Sequence, residues 1–388
     1  MNFPLISLQP VTDSQHAWRA LLLASRPAAG LDTLPQLFGE YGLNEALGEL
    51  SCVVPLADPG SLSDNTLKQL PVERMILLIP VSCCVDPAAV TDLERLRNQG
   101  FRLMAQGMPE AGQKLSSAVS ALAFDIAAMN GAAPPDMLKQ LPGPHLALGV
   151  ATPASFERAI AAGCSCFVGE YPLHPLPTQQ QRGSSRALLL KLLALVASEA
   201  DSPAIEMLLK QAPALSYQLL RLVNSVNFAL NKKIVNFGHA ITLLGRRQLQ
   251  RWLQLLLYAQ QSGDQRNPLM ARAALRASLT EALCKASGGD REEQERAFMV
   301  GMFSLLDKLF AMPLADIVAP LNLTEDVVEA MLQRGGRLGA LLAIVEQSER
   351  APSSDFAGQL ATSGLTPASY CQGLVQACRW TIQVSQGA

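Results

Sequence analysis

The side chains that could do chemistry are few and scattered. Four histidines, His16, His145, His174 and His239, stand far apart, so none pairs with another at the close spacing of a metal site. The eight cysteines (Cys52, Cys83, Cys84, Cys164, Cys166, Cys284, Cys371 and Cys378) form no C-x-x-C pair. Cys83–Cys84 and the C-x-C at Cys164 lack a second pair at zinc-site spacing. Their contexts, such as SCCV and CSCF, are apolar, where a reduced cysteine packs as a small hydrophobe. The expectation is buried thiols, no metal and no cofactor. GMPEAGQK, Gly107 to Lys114, comes near a phosphate-binding loop. That motif needs its lysine directly after the second glycine and a Ser or Thr next, to hold Mg²⁺. Gln113 intervenes and Leu115 follows Lys114, so the stretch reads as a turn.

One run of charge stands out. Between Glu206 and Asp264 there is no acidic residue, yet there are seven basic ones: Lys210, Arg221, Lys232, Lys233, Arg246, Arg247 and Arg251. From Leu249, the residues Leu249, Trp252, Leu253, Leu256 and Leu257 recur at i, i+3, i+4, i+7 and i+8, one face of a helix. Arg246, Arg247, Gln250, Arg251 and Gln254 fall opposite. That face is either simply solvated or a docking surface for an acidic partner, with Arg221, Arg246, Arg247 and Arg251 as its candidate residues. Nucleic acid is disfavoured, because no interleaved aromatics or recognition motif accompanies the charge.

The elements that position these residues change character along the chain. Residues 1–176 alternate β-like runs (from Ile6, Cys52, Met75, Phe101, Ala121, His145 and Cys166) with helical ones. Asp86-Pro87 and Thr152-Pro153 each set an N-cap before a proline at the first helical turn, and Gly100 and Gly163 stand where C-caps are wanted. Such alternation predicts parallel β/α units. About seven strands favour a barrel, yet the segment is short beside a barrel of about 250 residues, so the expectation is a shortened or incomplete one. A Pro-, Gln- and Ser-rich stretch, Tyr171 to Ser185, follows, with the linker proper placed at 177–186. Residues 187–388 read as all-α, with starts at Ser202-Pro203 and Pro213.

Composition agrees with this division. Of 388 residues, 49% are apolar and 16% charged, against roughly 25% charged in an average domain. The length suits two domains at roughly 100–200 residues each. Net charge is −2 overall. Residues 1–183 carry 11 basic and 16 acidic side chains and the remainder 20 and 17, so the halves have opposite sign. No charge-free apolar run of about 18 residues is present, which argues against membrane insertion. MNFPLISLQP has no basic-then-apolar pattern of a signal peptide, so the expected location is the cytoplasm.

LSYQLLRLVNSVNFALNKKIVNFGHAITLLGRRQLQRWL, Leu215 to Leu253, resembles the core signature of HDOD domains, helical relatives of HD-type phosphohydrolases, through LLRLVNS, Phe228, AITLLG and the basic-apolar helix after it. The first half, through strand order, spacing and Gln9-Pro10, resembles a shortened EAL domain, the cyclic-di-GMP phosphodiesterase barrel. That resemblance implies several carboxylates, an Asn and a Gln at strand ends, holding two divalent cations that would not be retained without such hard oxygen ligands. Here the signature glutamate falls on Arg19 or Ala20, the next metal glutamate on Leu78, and the paired aspartates on Gln106 and Gly107. The lysine and aspartate of the following strand become Ala128 and Asn130. Further on stand Leu148, Gly149 and Ala151, and the late glutamine becomes Val168. Asp125 alone remains. An HD site likewise needs an adjacent His-Asp; AFMVGMFSLLDKLF offers Ser304 and Leu305, with Asp307 lacking a histidine neighbour.

The expectation is thus a non-enzymatic bacterial signalling or scaffold protein, without catalytic, metal or cofactor-binding residues. It would act by contact with other signalling proteins or with its own EAL-like domain, in motility, biofilm or second-messenger control. The alternatives are a receptor that binds cyclic-di-GMP without cleaving it, which the lost strand-end charges argue against, and a nucleic-acid-binding regulator using the basic helix.

Overall fold

Met75–Pro80 and Val119–Asp125 bury nearly every side chain on both faces, the pattern of parallel strands covered inside and out. A computed structural model describes residues 5–26, 33–110, 112–129, 137–174, 191–195, 205, 207–208, 250–256, 258, 267–321, 323–350 and 353–386. In it these runs join a closed barrel of eight strands in sequence order: β1 (Leu5–Thr12), β2 (Trp18–Arg26), β3 (Ser51–Pro55), β4 (Met75–Pro80), β5 (Arg102–Gln106), β6 (Val119–Asp125), β7 (Leu146–Leu148) and β8 (Cys166–Phe167). β2 to β8 run parallel; β1 is antiparallel to both of its neighbours, β2 and β8.

The barrel is therefore complete, a correction to the expected seven strands and possible gap. The missing strand was β2. Its sequence, WRALLLASR, is rich in Leu, Ala and Arg, which favour helix, and Leu21, Leu22 and Leu23 are all buried. Ala20 and Leu22 face the barrel interior with Val53, Ile76, Leu78, Met104, Ala121, Ala123 and Leu146. A strand buried on both sides shows no alternation to read. The barrel is small because its connections are short. Among the described residues, the stretch between β5 and β6 holds no helix.

The helix starts read from capping chemistry are in place. Asp86 accepts a hydrogen bond from Ala88 N–H at 2.9 Å before a one-turn 3₁₀ helix and α1 (Val90–Asn98). Thr152 and Ser155 form a capping box on α2 (Pro153–Ala161). Gly100 and Gly163 follow in left-handed conformations. After α2, the chain closes the barrel by a very close approach. A Cβ at Gly169 would lie 2.1 Å from the Val150 carbonyl oxygen, so only glycine fits there.

The molecule divides into two compact units. One is Met1–His174 with Gln347–Gln359 and Thr366–Val375; the other is Pro175–Glu346 with Leu360–Leu365 and Gln376–Ala388. In the second, described residues form helices and no strand, including α3 (Pro268–Ala286), α4 (Arg291–Phe303) and α5 (Glu325–Gln333); the residues of α6 (Gly336–Ser348) and α7 (Pro367–Gln386) are divided between the two units. Asp290 and Glu293 make a second capping box, on α4. α3 and α4 pack almost backbone to backbone at Gly301, where a Cβ would lie 2.6 Å from Arg276 O and 2.7 Å from Ala277 Cα. Among the described residues no single helix is long and apolar enough to cross a membrane. The helix starts at Ser202-Pro203 and Pro213, most of the stretch from Leu215 to Leu253, and the 177–186 linker lie outside the described residues.

The β1–β2 turn carries a buried histidine. His16 has a left-handed φ of 60°, its ring packs on Phe156 and Tyr171, and its Nδ1 lies 3.2 Å from the Tyr171 hydroxyl. Burial lowers its pKa below the ordinary value, against a smaller opposing pull from Asp13. The folded ring thus stays neutral where the unfolded one, titrating at about 6.5, takes up a proton. Stability from this group is complete above pH about 6.5 and falls as the pH drops toward the folded value. Thermal unfolding of the full chain should lose stability between pH 7 and 5. His16→Asn, which tolerates the left-handed φ, should flatten that loss; an unchanged pH slope would refute the assignment. Separately, Gly301→Ala should destabilise the helical unit by about 1–3 kcal/mol through overpacking, read as a lower unfolding midpoint by circular dichroism.

Candidate functional site

In β/α barrels, reacting groups sit where the parallel strands end. The strand pairing fixes which side chains those are. Pro55 is level with Leu78, and Pro80 with Gln106. Gln106 is in turn level with Ala123, and Asp125 with Leu148. Leu78, Leu148 and Val168 join one apolar cluster inside the barrel. Their hydrocarbon side chains offer no oxygen donor, so they do not fit the two divalent cations that the EAL resemblance implies.

The strand register also places β2. Ala20 shares the interior with Leu78 but sits at the other end of the barrel, paired with Ser51 at the start of β3. The β2 residue level with Pro55 and Leu78 is instead Ala24, two beyond the Leu22–Val53 pair. Ala24, like Ala20, brings no carboxylate. Asp125 is exposed and engaged locally: its Oδ1 accepts from Ala127 N–H at 2.8 Å, and its carboxylate packs against Gly149. Ala128 lies on a short 3₁₀ turn, Gln106 is exposed at the end of β5, and Asn130 lies outside the described residues.

The Gly107–Lys114 segment is a turn. Gly107 has a φ of 102° and Glu110 N–H donates to Gln113 Oε1 at 2.9 Å. Of the eight cysteines, Cys83 and Cys166 are half-buried and the others buried. Burial pushes the thiols of Cys52, Cys84, Cys164 and Cys371 up to about 12, which keeps them protonated and inert at neutral pH. Among the described residues no cluster of three or more His, Cys, Asp or Glu could hold a metal ion.

In the helical unit, the position matched to an HD pair is filled by a polar network. Ser304 follows the end of α4, is buried, and donates to Gly301 O at 2.7 Å. Arg276 of α3, itself buried, donates from Nη1 to Ser304 Oγ at 3.1 Å and contacts Glu346 Oε1 at 3.1 Å. Arg334 reaches the same carboxylate through Nε at 2.9 Å and Nη2 at 2.7 Å. Leu305 is buried, and Asp307 pairs with Lys308 at 3.0 Å. Arg276 was not singled out from the sequence, where it is one of several arginines in a helical run. Only its depth in the fold marks it.

The basic helix also differs from the expected open face. Arg251 pairs with Glu281, and its guanidinium lies 4.5 Å from the centre of the Phe298 ring. Gln254 is buried beside Trp252, Leu253, Leu255 and Leu256. That helix is covered on nearly every side, so apolar periodicity alone overstated its solvated face. Arg221, Arg246 and Arg247 lie outside the described residues.

Comparison with known proteins locates an HDOD domain at residues 186–333. The chain is 29% identical over 243 residues to the cyclic di-GMP phosphodiesterase CdgJ of Vibrio cholerae, covering 62% of this chain and 56% of CdgJ. It is 30% identical over 139 residues to the uncharacterized protein YuxH of Bacillus subtilis, covering 35% of this chain and 34% of YuxH. The chain thus spans about half the length of the first of these relatives and a third of the second. Among solved structures, the EAL domain of Mycobacterium smegmatis DcpA is 18% identical, with a TM-score of 0.34, covering 43% of this chain and 90% of that domain. Residues 186–333 thus match the HDOD domain, after a complete eight-stranded barrel, in a chain similar to CdgJ.

Proposed function

We propose that this protein works in cyclic-di-GMP signalling as a regulator that does not hydrolyse the nucleotide and acts through contacts with other proteins. The place in such signalling is carried over from the phosphodiesterase relative CdgJ. The observation that carries the non-enzymatic part is the hydrocarbon lining of the barrel where strand-end carboxylates would be needed. The EAL resemblance assigns such places to Leu78, Leu148 and Val168, which join the apolar interior, and to Asp125, which is held by its own backbone turn. A phosphodiester is cleaved when metal ions activate water and stabilise the leaving oxygen. One exposed aspartate cannot hold two such ions. The Arg276–Ser304–Glu346 network supports the same reading in the helical unit, since Ser304, where the HD resemblance would put the His-Asp pair, meets a buried guanidinium.

The test is direct. Purified full-length chain with Mg²⁺ or Mn²⁺ should release no linear dinucleotide from cyclic-di-GMP above a protein-free blank, and measurable turnover would overturn the proposal. Addition of either cation should also leave the unfolding midpoint unchanged, because a ligand that binds the native state at one hundred times its Kd adds about 2.7 kcal/mol. A clear upward shift would reveal a metal site and count against this reading.

A further inference from the structure

At the end of the barrel opposite the strand-end positions lies a cavity of about 390 Å³, within the roughly 300–1,000 Å³ range of small-molecule sites. Its inner wall is the start of the barrel core: Ala20, Val53, Ile76, Met104 and Leu146. The space exists because small residues stand at the first interior level of two adjacent strands. Ala20 pairs with Ser51, where barrels usually stack large branched side chains.

The outer lining is polar and carries arginine. Arg19 is neutralised by Asp13, whose carboxylate accepts from Arg19 Nε at 2.7 Å. Arg102 differs. Its Nη2 donates to Ser51 Oγ at 2.6 Å, and it makes no ion pair among the described residues. A guanidinium has five N–H donors and can grip a carboxylate through two of them. The hydroxyls of Ser14, Ser51 and Ser165 also line the opening. The charged lining residues, Asp13, Arg19 and Arg102, thus leave one positive charge unmatched at the mouth of an apolar chamber.

We infer that this cavity binds a small monoanion with an apolar body, a medium-chain carboxylate whose head group meets Arg102 and whose chain lies along Ala20, Val53, Ile76 and Met104. The site is separate from the strand-end positions and does not depend on whether they hydrolyse anything.

Calorimetry on the full-length chain with octanoate tests this, using 1-octanol as the uncharged comparison and the variants Arg102→Gln and Ala20→Leu. Octanoate should bind at one site, and 1-octanol about tenfold more weakly or not at all, given the strength of a charge-assisted pair. Arg102→Gln should weaken octanoate about tenfold while leaving 1-octanol unaffected. Ala20→Leu, which fills the chamber, should remove binding of both. Thermal unfolding confirms that each variant folds, and should Ala20→Leu fail to fold, the octanol comparison and Arg102→Gln still decide. No heat with millimolar octanoate overturns the inference. So does equal binding of acid and alcohol, or octanoate binding indifferent to Arg102→Gln.

Discussion

The barrel depends on one short seam. β8 has two residues, and its pairing with the far edge of the sheet is a single register point, Thr12 opposite Phe167. An open sheet edge would expose unpaired backbone to other chains; closure removes it. The seam is reinforced by side chains. Thr12 Oγ1 donates to Phe167 O at 3.3 Å and lies 2.8 Å from the Tyr171 hydroxyl, which also meets His16. Phe156 stacks on Tyr171 with ring centroids 4.4 Å apart. Backbone bonds continue the ladder past β7 and β8, from Val150 N–H to Val168 O and from Tyr171 N–H to Val150 O, both at 3.0 Å. They can form because Gly169 lets the two segments touch.

Closure in turn fixes what the interior can do. Once the strands form a ring, every second side chain points inward, and the interior is either packed or polar. Here it is packed with Leu, Val, Ile, Met and Ala. Carboxylates at these points would carry a heavy desolvation cost unless cations or hydrogen bonds compensated them. A hydrocarbon lining escapes that cost and adds burial, worth about 25 cal/mol per Å² of apolar surface. The lining that supports a non-hydrolytic role also helps so small a barrel hold its shape.

Legibility from sequence followed the same physics. Strands bounded by turn residues and starting from strong caps were readable, as at Asp86 and Thr152. β2 was not, because a strand buried on both faces has no period and its Leu and Ala also suit a helix. With β2 unread, the barrel looks incomplete and the register of Arg19 and Ala20 stays unset. Arg251 and Gln254 failed for a related reason. A helical wheel assigns faces from one helix's sequence, but burial depends on what other elements supply. Glu281 and Phe298, far along the chain, decide where Arg251 sits. Arg276 is the strongest case, since nothing local in ARAALRASLT announces that its arginines end up inside.

The two units thus meet charge in opposite ways. The barrel excludes it from its interior and leaves charge at the rims, whereas the helical unit admits Arg276 and satisfies it with Glu346 and Ser304. A buried guanidinium is tolerable only when its donors are met: losing Glu346 would leave an uncompensated charge, and losing Ser304 an unmet donor. Glu346 is already shared with Arg334, so its carboxylate oxygens are committed to two cations of the chain itself. The carboxylate is therefore held by cations that belong to the chain itself. The barrel interior is hydrocarbon; the helical unit holds a carboxylate shared by two arginines. Both arrangements rest on residues whose partners come from distant parts of the chain.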